Sequence, residues 1–250
     1  MSLEESLLKA SALMKDVKSV AVLTGAGISK ESGIPTFREA QTGLWANYEP
    51  EKLATVEGFR RDPSLVWKWY DWRRKMVADV VPNPGHLALV DLEKLFPQFT
   101  LITQNVDGLH RRAGSVKVIE MHGNISKHKC LERNHPAENV AFDLENPPEC
   151  SCGSCIRPDV VWFGEALKTS DLDQSFAAAE SAEIFLVVGT SGLVQPAASL
   201  PFMAQRNGAK VIECNPERTP LTADADVLLE GPSGKVLPML VEQLKQSIKQ

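Results

Sequence analysis

A chain of 250 residues, 43% hydrophobic and 24% charged, is long enough for one or two globular domains with a sizeable core. Its net charge of −5 lacks the basic surplus that phosphate neutralisation needs, so nucleic acid is not an expected partner, whereas an acidic enzyme acting on basic, lysine-bearing peptides remains compatible. No apolar run approaches the ~20 residues of a membrane span, and "MSLEESLLKASALMKDV" lacks a basic-then-apolar signal layout, so no membrane partner is expected and the cytoplasm is the expected compartment.

In chain order, four apolar, β-branched runs predict buried strands: "SVAVLTG" (19–25), "FTLITQN" (99–105), "IFLVVGT" (184–190) and "AKVIECN" (209–215). "VKVIEMHG" (116–123) and "ADVLLEG" (225–231) read as shorter strands, and "GKVLPMLVEQLKQSIKQ" as a final helix. Helical patterns separate the runs, which is the signature of an α/β fold: a Rossmann-like, doubly wound parallel sheet with helices on both faces. Two segments break this rhythm. Residues 39–82 carry a loop and a Trp-rich helical stretch, and residues 126–159 carry a cysteine cluster with little periodicity. They are expected to pack together as a second, smaller domain, leaving 1–38, 83–125 and 160–250 as the Rossmann-like domain. The cleft between them, outside the carboxyl ends of the strands, is where a ligand would bind.

The first strand runs into "GAGISKESGIPTFR" (Gly25 to Arg38), the position of a phosphate-binding loop. The dinucleotide fingerprint is broken, because Lys30 stands where G-x-G-x-x-G needs its third glycine. A lone G-x-G is also compatible with an ordinary turn. Every strong strand, however, ends in residues suited to a polar ligand: "TGAG", "TQNVDG", "GTS" and "CNPE". Gly189, Thr190 and Ser191 offer N–H groups and hydroxyls to phosphate, and Asn215 can hydrogen-bond a ribose or an adenine edge. In "QNVDGLH", Asn105 and Asp107 alternate along an extended segment, so an amide and a carboxylate together can grip a carboxamide; the competing reading is an Asx-turn. His122, at the end of a strand near these loops, is the best general-base candidate of the five histidines. Cys214, alone in "KVIECNPE", reads as a buried small residue.

"GAGISKESGIPTFR", "TQNVDGLH", "MHGN", "RPDVVWFGE", "GTS" and "NP", in this order and spacing, resemble the sirtuins, NAD-dependent protein lysine deacylases, over essentially the whole chain. The resemblance implies NAD as cofactor, acylated-lysine proteins or peptides as partners, and nicotinamide, free lysine and O-acyl-ADP-ribose as products. It implies that Gly25, Ala26 and Gly27 hold the pyrophosphate without a third glycine, that Phe37 shields the reacting carbon and that Arg38 supports the dinucleotide, with Thr36, Gln104, Asn105, Asp107, Gly189, Thr190, Ser191, Asn215 and Ser233 completing the cofactor site. The implied catalytic residues are His122 as base and Asn105 and Asp107 on the carboxamide. "VVWFGE" resembles the segment that pairs with the substrate peptide as an added strand, through Val161, Phe163, Gly164 and Glu165.

In "WYDWRR", Tyr70 and Arg73 are three apart on a predicted helix and share a face, where phenol and guanidinium make a receptor for a carboxylate; the plain alternative is a surface Arg beside core aromatics. The pair matches the Tyr-x-x-Arg of class III sirtuins, which remove succinyl, malonyl or glutaryl groups, so this preference is expected, with some deacetylation possible in addition. The rival activities are an ADP-ribosyltransferase or NAD hydrolase on the same fold, and a zinc-ribbon module that binds acylated peptides without turnover.

Sirtuins carry two C-x₂-C pairs for a structural zinc, and this chain departs from that pattern: Arg133 stands at the second ligand position, and Cys150 lies one residue off. Cys130, Cys150, Cys152 and Cys155 remain the expected zinc ligands, with His135 as a substitute; the alternative is a module that stands on packing alone. Oligomeric state is not legible in the sequence.

Overall fold

The computed structural model describes residues 1–35, 53–141 and 145–248. The first half runs through α1 (Leu3–Met14), β1 (Ser19–Thr24), α2 (Gly27–Lys30), α3 (Val56–Arg61), α4 (Pro63–Asp79), α5 (Pro84–Leu95), β2 (Gln98–Thr103), α6 (Leu109–Ala113) and β3 (Val118–Glu120). The second half adds β4 (Gly123–Cys130), β5 (Pro136–Ala137), β6 (Ile156–Val160), α7 (Thr169–Ser181), β7 (Ile184–Val188), α8 (Leu200–Arg206), β8 (Lys210–Asn215), β9 (Val227–Glu230) and α9 (Ser233–Ile248).

Six strands form one sheet in the order β3-β2-β1-β7-β8-β9, with every neighbouring pair parallel. Sequence order thus reverses between β1 and β7, and a crevice opens there at the carboxyl ends. Strand residues alternate between two cores, as the two-residue period of a strand requires. Val20, Val22, Ile184, Leu186 and Val188 face the cluster that includes Leu7, Leu89 and Leu240, from α1, α5 and α9. Ala21, Leu23, Phe185 and Val187 face the other, with Ala179 and Leu200 from α7 and α8. This is the doubly wound α/β architecture expected from the sequence. Cys214 is fully buried in β8, where desolvation pushes its thiol up to about 12, so it serves as an inert apolar residue.

Local chemistry sets the helix starts. Ser2 and Glu5 form a capping box at α1, Asp62 accepts the Leu65 N–H ahead of Pro63 at α4, and Asn83 caps α5 ahead of Pro84. No described helix is long and apolar enough to cross a membrane.

The two segments that break the βα rhythm come together. A three-stranded antiparallel sheet, in the order β5-β4-β6, packs against α3 and α4. Phe59, Trp69, Tyr70, Ile125, Val160 and Trp162 form one apolar cluster across that junction. Each large side chain so buried contributes roughly 1.5–3 kcal/mol. The antiparallel sheet begins at Gly123, directly after His122, so the cysteine-bearing region grows out of the strand that follows the candidate base.

Gly123 is required at that junction. Its φ is +81°, and a Cβ there would lie 2.1 Å from the Asp159 carbonyl oxygen across the sheet. Gly123→Ala is therefore expected to destabilise the protein by roughly 2–3 kcal/mol, lowering Tm by about 4–12 °C in a thermal melt. An unchanged Tm would mean that β4 and β6 do not approach this closely.

Candidate active site

The carboxyl ends of β1, β2, β7 and β8 meet at the crevice. Gly27 donates its N–H to the Gly189 carbonyl at 2.8 Å, bringing the loops after β1 and β7 into backbone contact. A Cβ on Gly27 would lie 2.7 Å from Gly189 O, and one on Gly189, whose φ is +58°, would lie 2.6 Å from the Ile28 nitrogen. No larger residue fits either position. Among the described residues, the N–H groups of Ala26, Thr190 and Ser191 have no acceptor, while Gly25 donates to Val188 O. Unpaired N–H groups on adjacent loops at a Gly-rich strand end make a binding site for an anion such as a pyrophosphate.

Side chains link the loops laterally. Gln104 Nε2 donates to Thr190 Oγ1 at 2.9 Å, and Asn215 Nδ2 donates to Thr190 O at 2.9 Å. Ser233 lies buried at the start of α9, its hydroxyl 3.4 Å from a Glu31 carboxylate oxygen. Thr36, Phe37 and Arg38 lie outside the described residues.

Asn105 and Asp107 are 8% and 6% exposed, and Ser29 joins them. Asn105 Nδ2 donates to Ser29 Oγ at 3.1 Å, and Ser29 Oγ donates to Asp107 Oδ2 at 2.7 Å. Asn105 Nδ2 also reaches Gly25 O at 3.1 Å. The Asx-turn exists too, since Leu109 N–H donates to Asp107 Oδ1 at 2.9 Å. The turn orients the carboxylate, and the serine bonds its other oxygen. Burial raises the Asp107 pKa, opposed by the Leu109 N–H, the Ser29 hydroxyl and the Arg73 charge.

Behind this group lies a wall of neutral imidazoles. Asn83 N–H donates to His86 Nδ1 at 3.3 Å, so His86 presents Nε2–H to Ser29 Oγ at 3.5 Å. Thr24 Oγ1 gives its hydrogen to Thr103 Oγ1 at 2.8 Å and therefore accepts from His110 Nε2 at 2.9 Å. The two rings lie 4.9 Å apart, and burial lowers His86 to about 4 and His110 well below its usual value. Ser29, His86 and His110 were not singled out from sequence. For Ser29 the signal is topological: β1 and β2 are parallel neighbours, so a hydroxyl two residues past Gly27 faces the residues after β2.

His122 Nδ1 lies 3.0 Å from Gln104 O. A carbonyl only accepts, so Nδ1 carries the hydrogen and Nε2 keeps its lone pair. Burial lowers the His122 pKa below 6.5, opposed by the Gln104 carbonyl, so the ring is a neutral base at pH 7.

The "VVWFGE" segment continues β6. Val161 N–H donates to His122 O at 2.8 Å, and Phe163 N–H donates to Ala54 O at 2.9 Å, with Phe163 exposed. Gly164 has open space around it, with φ +85°. The Glu165 carboxylate is engaged within the protein, accepting from Arg157 Nη2 at 2.7 Å and from Trp162 N–H at 2.8 Å. On α4, Tyr70 is buried and Arg73 is half-buried, its guanidinium 5.0 Å from the Trp69 ring centre.

The metal set differs from the expected four cysteines. Cys130, His135, Cys150 and Cys152 place one donor atom each within 4.8 Å of one another, and Cys155 is not in that group. Cys130 and Cys152 sulfurs are 3.4 Å apart, and Cys150 Sγ is 3.3 Å from His135 Nε2. Donors at ~2.3 Å around tetrahedral zinc stand about 3.7 Å apart, so the set fits a zinc ion. His135 Nδ1–H is turned to Pro136 O at 3.3 Å, which leaves Nε2 free to ligate. Cys155 instead packs against the aromatic cluster, because its neighbour Ile156 pairs with Cys130 in the antiparallel sheet and turns the thiol inward. With four protein donors the site is closed, hence structural.

Comparison with known proteins agrees with this geometry. The Sir2 family pattern matches residues 25–196. A curated "NAD-dependent protein deacylase" of Aquifex aeolicus is 52% identical over 230 residues, spanning 91% of this chain and 96% of the relative. A crystal structure of a Sir2 homologue in complex with NAD superposes with a TM-score of 0.90 at 46% identity, covering 98% of this chain and 94% of the other. A Sir2 structure holding a deacetylated p53 peptide and 3′-O-acetyl-ADP-ribose has a TM-score of 0.83 at 30% identity, covering 97% and 98%. The chain belongs to the Sir2 family.

Two outcomes follow from this geometry. Followed by NMR, His122 is expected to titrate with a midpoint below pH 6.5: falling pH protonates Nε2, so the base is available above the lowered pKa and lost as pH drops through it. A midpoint at or above 6.5 would contradict the partly buried, Nδ1-tethered ring. Metal analysis is expected to find one zinc per chain, retained by Cys155→Ser and lost by His135→Ala to a chelator that leaves the wild type loaded. Loss in Cys155→Ser alone would restore the four-cysteine set.

Proposed function

We propose that this protein is an NAD-dependent protein lysine deacylase that releases nicotinamide and O-acyl-ADP-ribose, with a preference for succinyl, malonyl or glutaryl groups. The observation that supports the activity most directly is the pairing of Asn105, Ser29 and Asp107 under one wall of the crevice with the free Nε2 of His122. When bound, NAD supplies a scissile bond between nicotinamide and an electrophilic ribose carbon. The chain's residues do the rest. Ala26, Thr190 and Ser191 offer N–H groups to the pyrophosphate, with Gly25, Gly27 and Gly189 permitting close approach. Asn105 and Asp107 orient the carboxamide, which donates and accepts at once. His122 Nε2 would accept the proton of a ribose hydroxyl, freeing that oxygen to attack the acyl carbon once the acyl oxygen has replaced nicotinamide on the ribose. The buried surroundings keep water from competing for that carbon.

The peptide is read by strand addition along Val161 to Gly164, so main-chain bonds carry affinity and sequence tolerance follows. The related Sir2 structure that holds both a deacetylated p53 peptide and 3′-O-acetyl-ADP-ribose supports peptide and acyl-ADP-ribose as ligands of this kind of site.

The acyl preference rests on Tyr70 and Arg73, one turn apart on α4. Arg73 lies close enough to Tyr70 and Asp107 for both to favour its charge, against a burial that lowers its pKa. A cation half-buried beside the carboxamide site suits an acyl chain that ends in a carboxylate. The test is an NAD-dependent assay on matched acetyl-, malonyl-, succinyl- and glutaryl-lysine peptides, with products identified by mass. Arg73→Met is expected to lower kcat/KM for succinyl-lysine about ten- to hundredfold more than for acetyl-lysine. Equal losses on both would remove the carboxylate-receptor role, and nicotinamide release without O-acyl-ADP-ribose would favour the NAD hydrolase.

A further inference from the structure

Trp162 lies in the middle of the substrate-pairing segment yet is 2% exposed, facing into the protein and away from the cleft surface. Its indole Nε1 lies 2.8 Å from the Tyr70 hydroxyl oxygen, and Tyr70 is likewise 2% exposed. The direction of this bond is fixed by chemistry: an indole N–H donates and never accepts, so the phenol oxygen is the acceptor. The hydrogen of Tyr70 is then left for some other acceptor. Among the described residues no atom takes it, and the charged neighbour on the same face, Arg73, has only donors to offer. A phenol hydrogen beside a guanidinium calls for a ligand that brings acceptors, which an ionised carboxylate does and an acetyl methyl does not.

The indole is held firmly. The Arg157 guanidinium carbon stands 3.7 Å from the Trp162 ring centre, and Arg157 itself is 1% exposed. Arg157 Nη2 is tied to Val160 O at 3.0 Å and to Glu165 Oε2 at 2.7 Å, and the same Glu165 oxygen accepts the Trp162 backbone N–H at 2.8 Å. Phe59 packs against the indole at 5.3 Å.

We propose that Trp162 is a positioning residue for acyl selectivity: by donating its indole N–H to Tyr70 it turns the phenol into an obligate donor toward the acyl-chain carboxylate, with Arg157 and Glu165 holding the indole in place. This rests on the proposed preference for acidic acyl groups and names the device that enforces it. Burial pushes the Tyr70 phenol up to about 12, so its hydrogen is present throughout the working pH range.

The experiment is a double-mutant cycle of Trp162→Phe and Tyr70→Phe, measuring kcat and KM on succinyl- and acetyl-lysine peptides. In Trp162→Phe the succinyl-to-acetyl ratio of kcat/KM is expected to fall about five- to tenfold, mainly through KM for the succinyl peptide. In the double variant the ratio is expected to match that of Tyr70→Phe alone, because Trp162 acts through the phenol. An unchanged ratio in Trp162→Phe, or additive losses in the double variant, overturns the proposal. A wild type without succinyl-lysine turnover sinks the acyl preference itself, a different result from a selective wild type that Trp162→Phe leaves selective. Should Trp162→Phe not fold, the indole ¹⁵N–H resonances decide: one is expected to shift between wild type and Tyr70→Phe, and no shift overturns the proposal.

Discussion

The site depends on a backbone contact at the centre of the sheet. Strand order reverses between β1 and β7, and the chain leaving each strand lies beside the other across the crevice, with the Gly27 N–H on the Gly189 carbonyl. From that contact the position of the candidate base follows by hydrogen bonds. Gly189 sets Thr190, whose hydroxyl accepts from Gln104 Nε2, and the Gln104 carbonyl fixes His122 Nδ1. The unpaired N–H groups and the lone pair of the candidate base therefore belong to one hydrogen-bonded frame. A catalytic group placed this way loses little freedom when the ligand arrives, which is where much of the gain from orientation lies.

Burial alone would make this frame costly. An unsatisfied buried polar group costs about 1–3 kcal/mol, and a buried charge costs more. The direction of every bond around Asp107 meets that cost. Ser29 takes hydrogens from Asn105 and, at longer range, from His86, and gives its own to the carboxylate. His86 and His110 stay neutral, so the wall behind the carboxylate adds no second charge that would compete with the ligand for Asp107. Desolvation nonetheless outweighs these contacts and leaves the Asp107 pKa raised, which marks the group as a candidate for a functional site.

Much of the fold is legible in the sequence because hydrophobic periodicity reports burial directly. The runs that become β1, β2, β7 and β8 are buried on both faces, and no local alternative competes. Asn105, Asp107 and His122 are legible because each polar group stands just past an apolar run. Ser29 and Trp162 are not, because their roles depend on neighbours more than 70 residues away: Ser29 meets Asp107 across two loops, and Trp162 meets Tyr70 across the junction with α4. A tryptophan in an apolar segment reads as packing, and its N–H shows no direction until the partner is in place. Cys130, Cys150, Cys152 and the substitute His135 are legible as zinc ligands, and Cys155 departs from that set for a related reason. Cysteine spacing suggests Cys155, but the antiparallel pairing of β4 with β6 turns that thiol toward the aromatic cluster, and the turn after Cys130 brings His135 in instead.

Family membership defines the chemistry at the sheet edge, while the proposed acyl receptor lies in the smaller, aromatic region. These two parts are mechanically joined. Val161 N–H is bonded to the carbonyl of His122, and β4, which starts one residue after His122, pairs with β6, which ends one residue before Val161. Trp162 follows immediately, held by Arg157 from within β6. On the proposed reading, an acyl chain held at Tyr70 and Arg73 therefore lies against the same short antiparallel ladder that carries the candidate base. On that reading, selectivity and catalysis would be coupled through this ladder, because Trp162 is bonded to Tyr70 and the adjacent Val161 N–H to the carbonyl of His122.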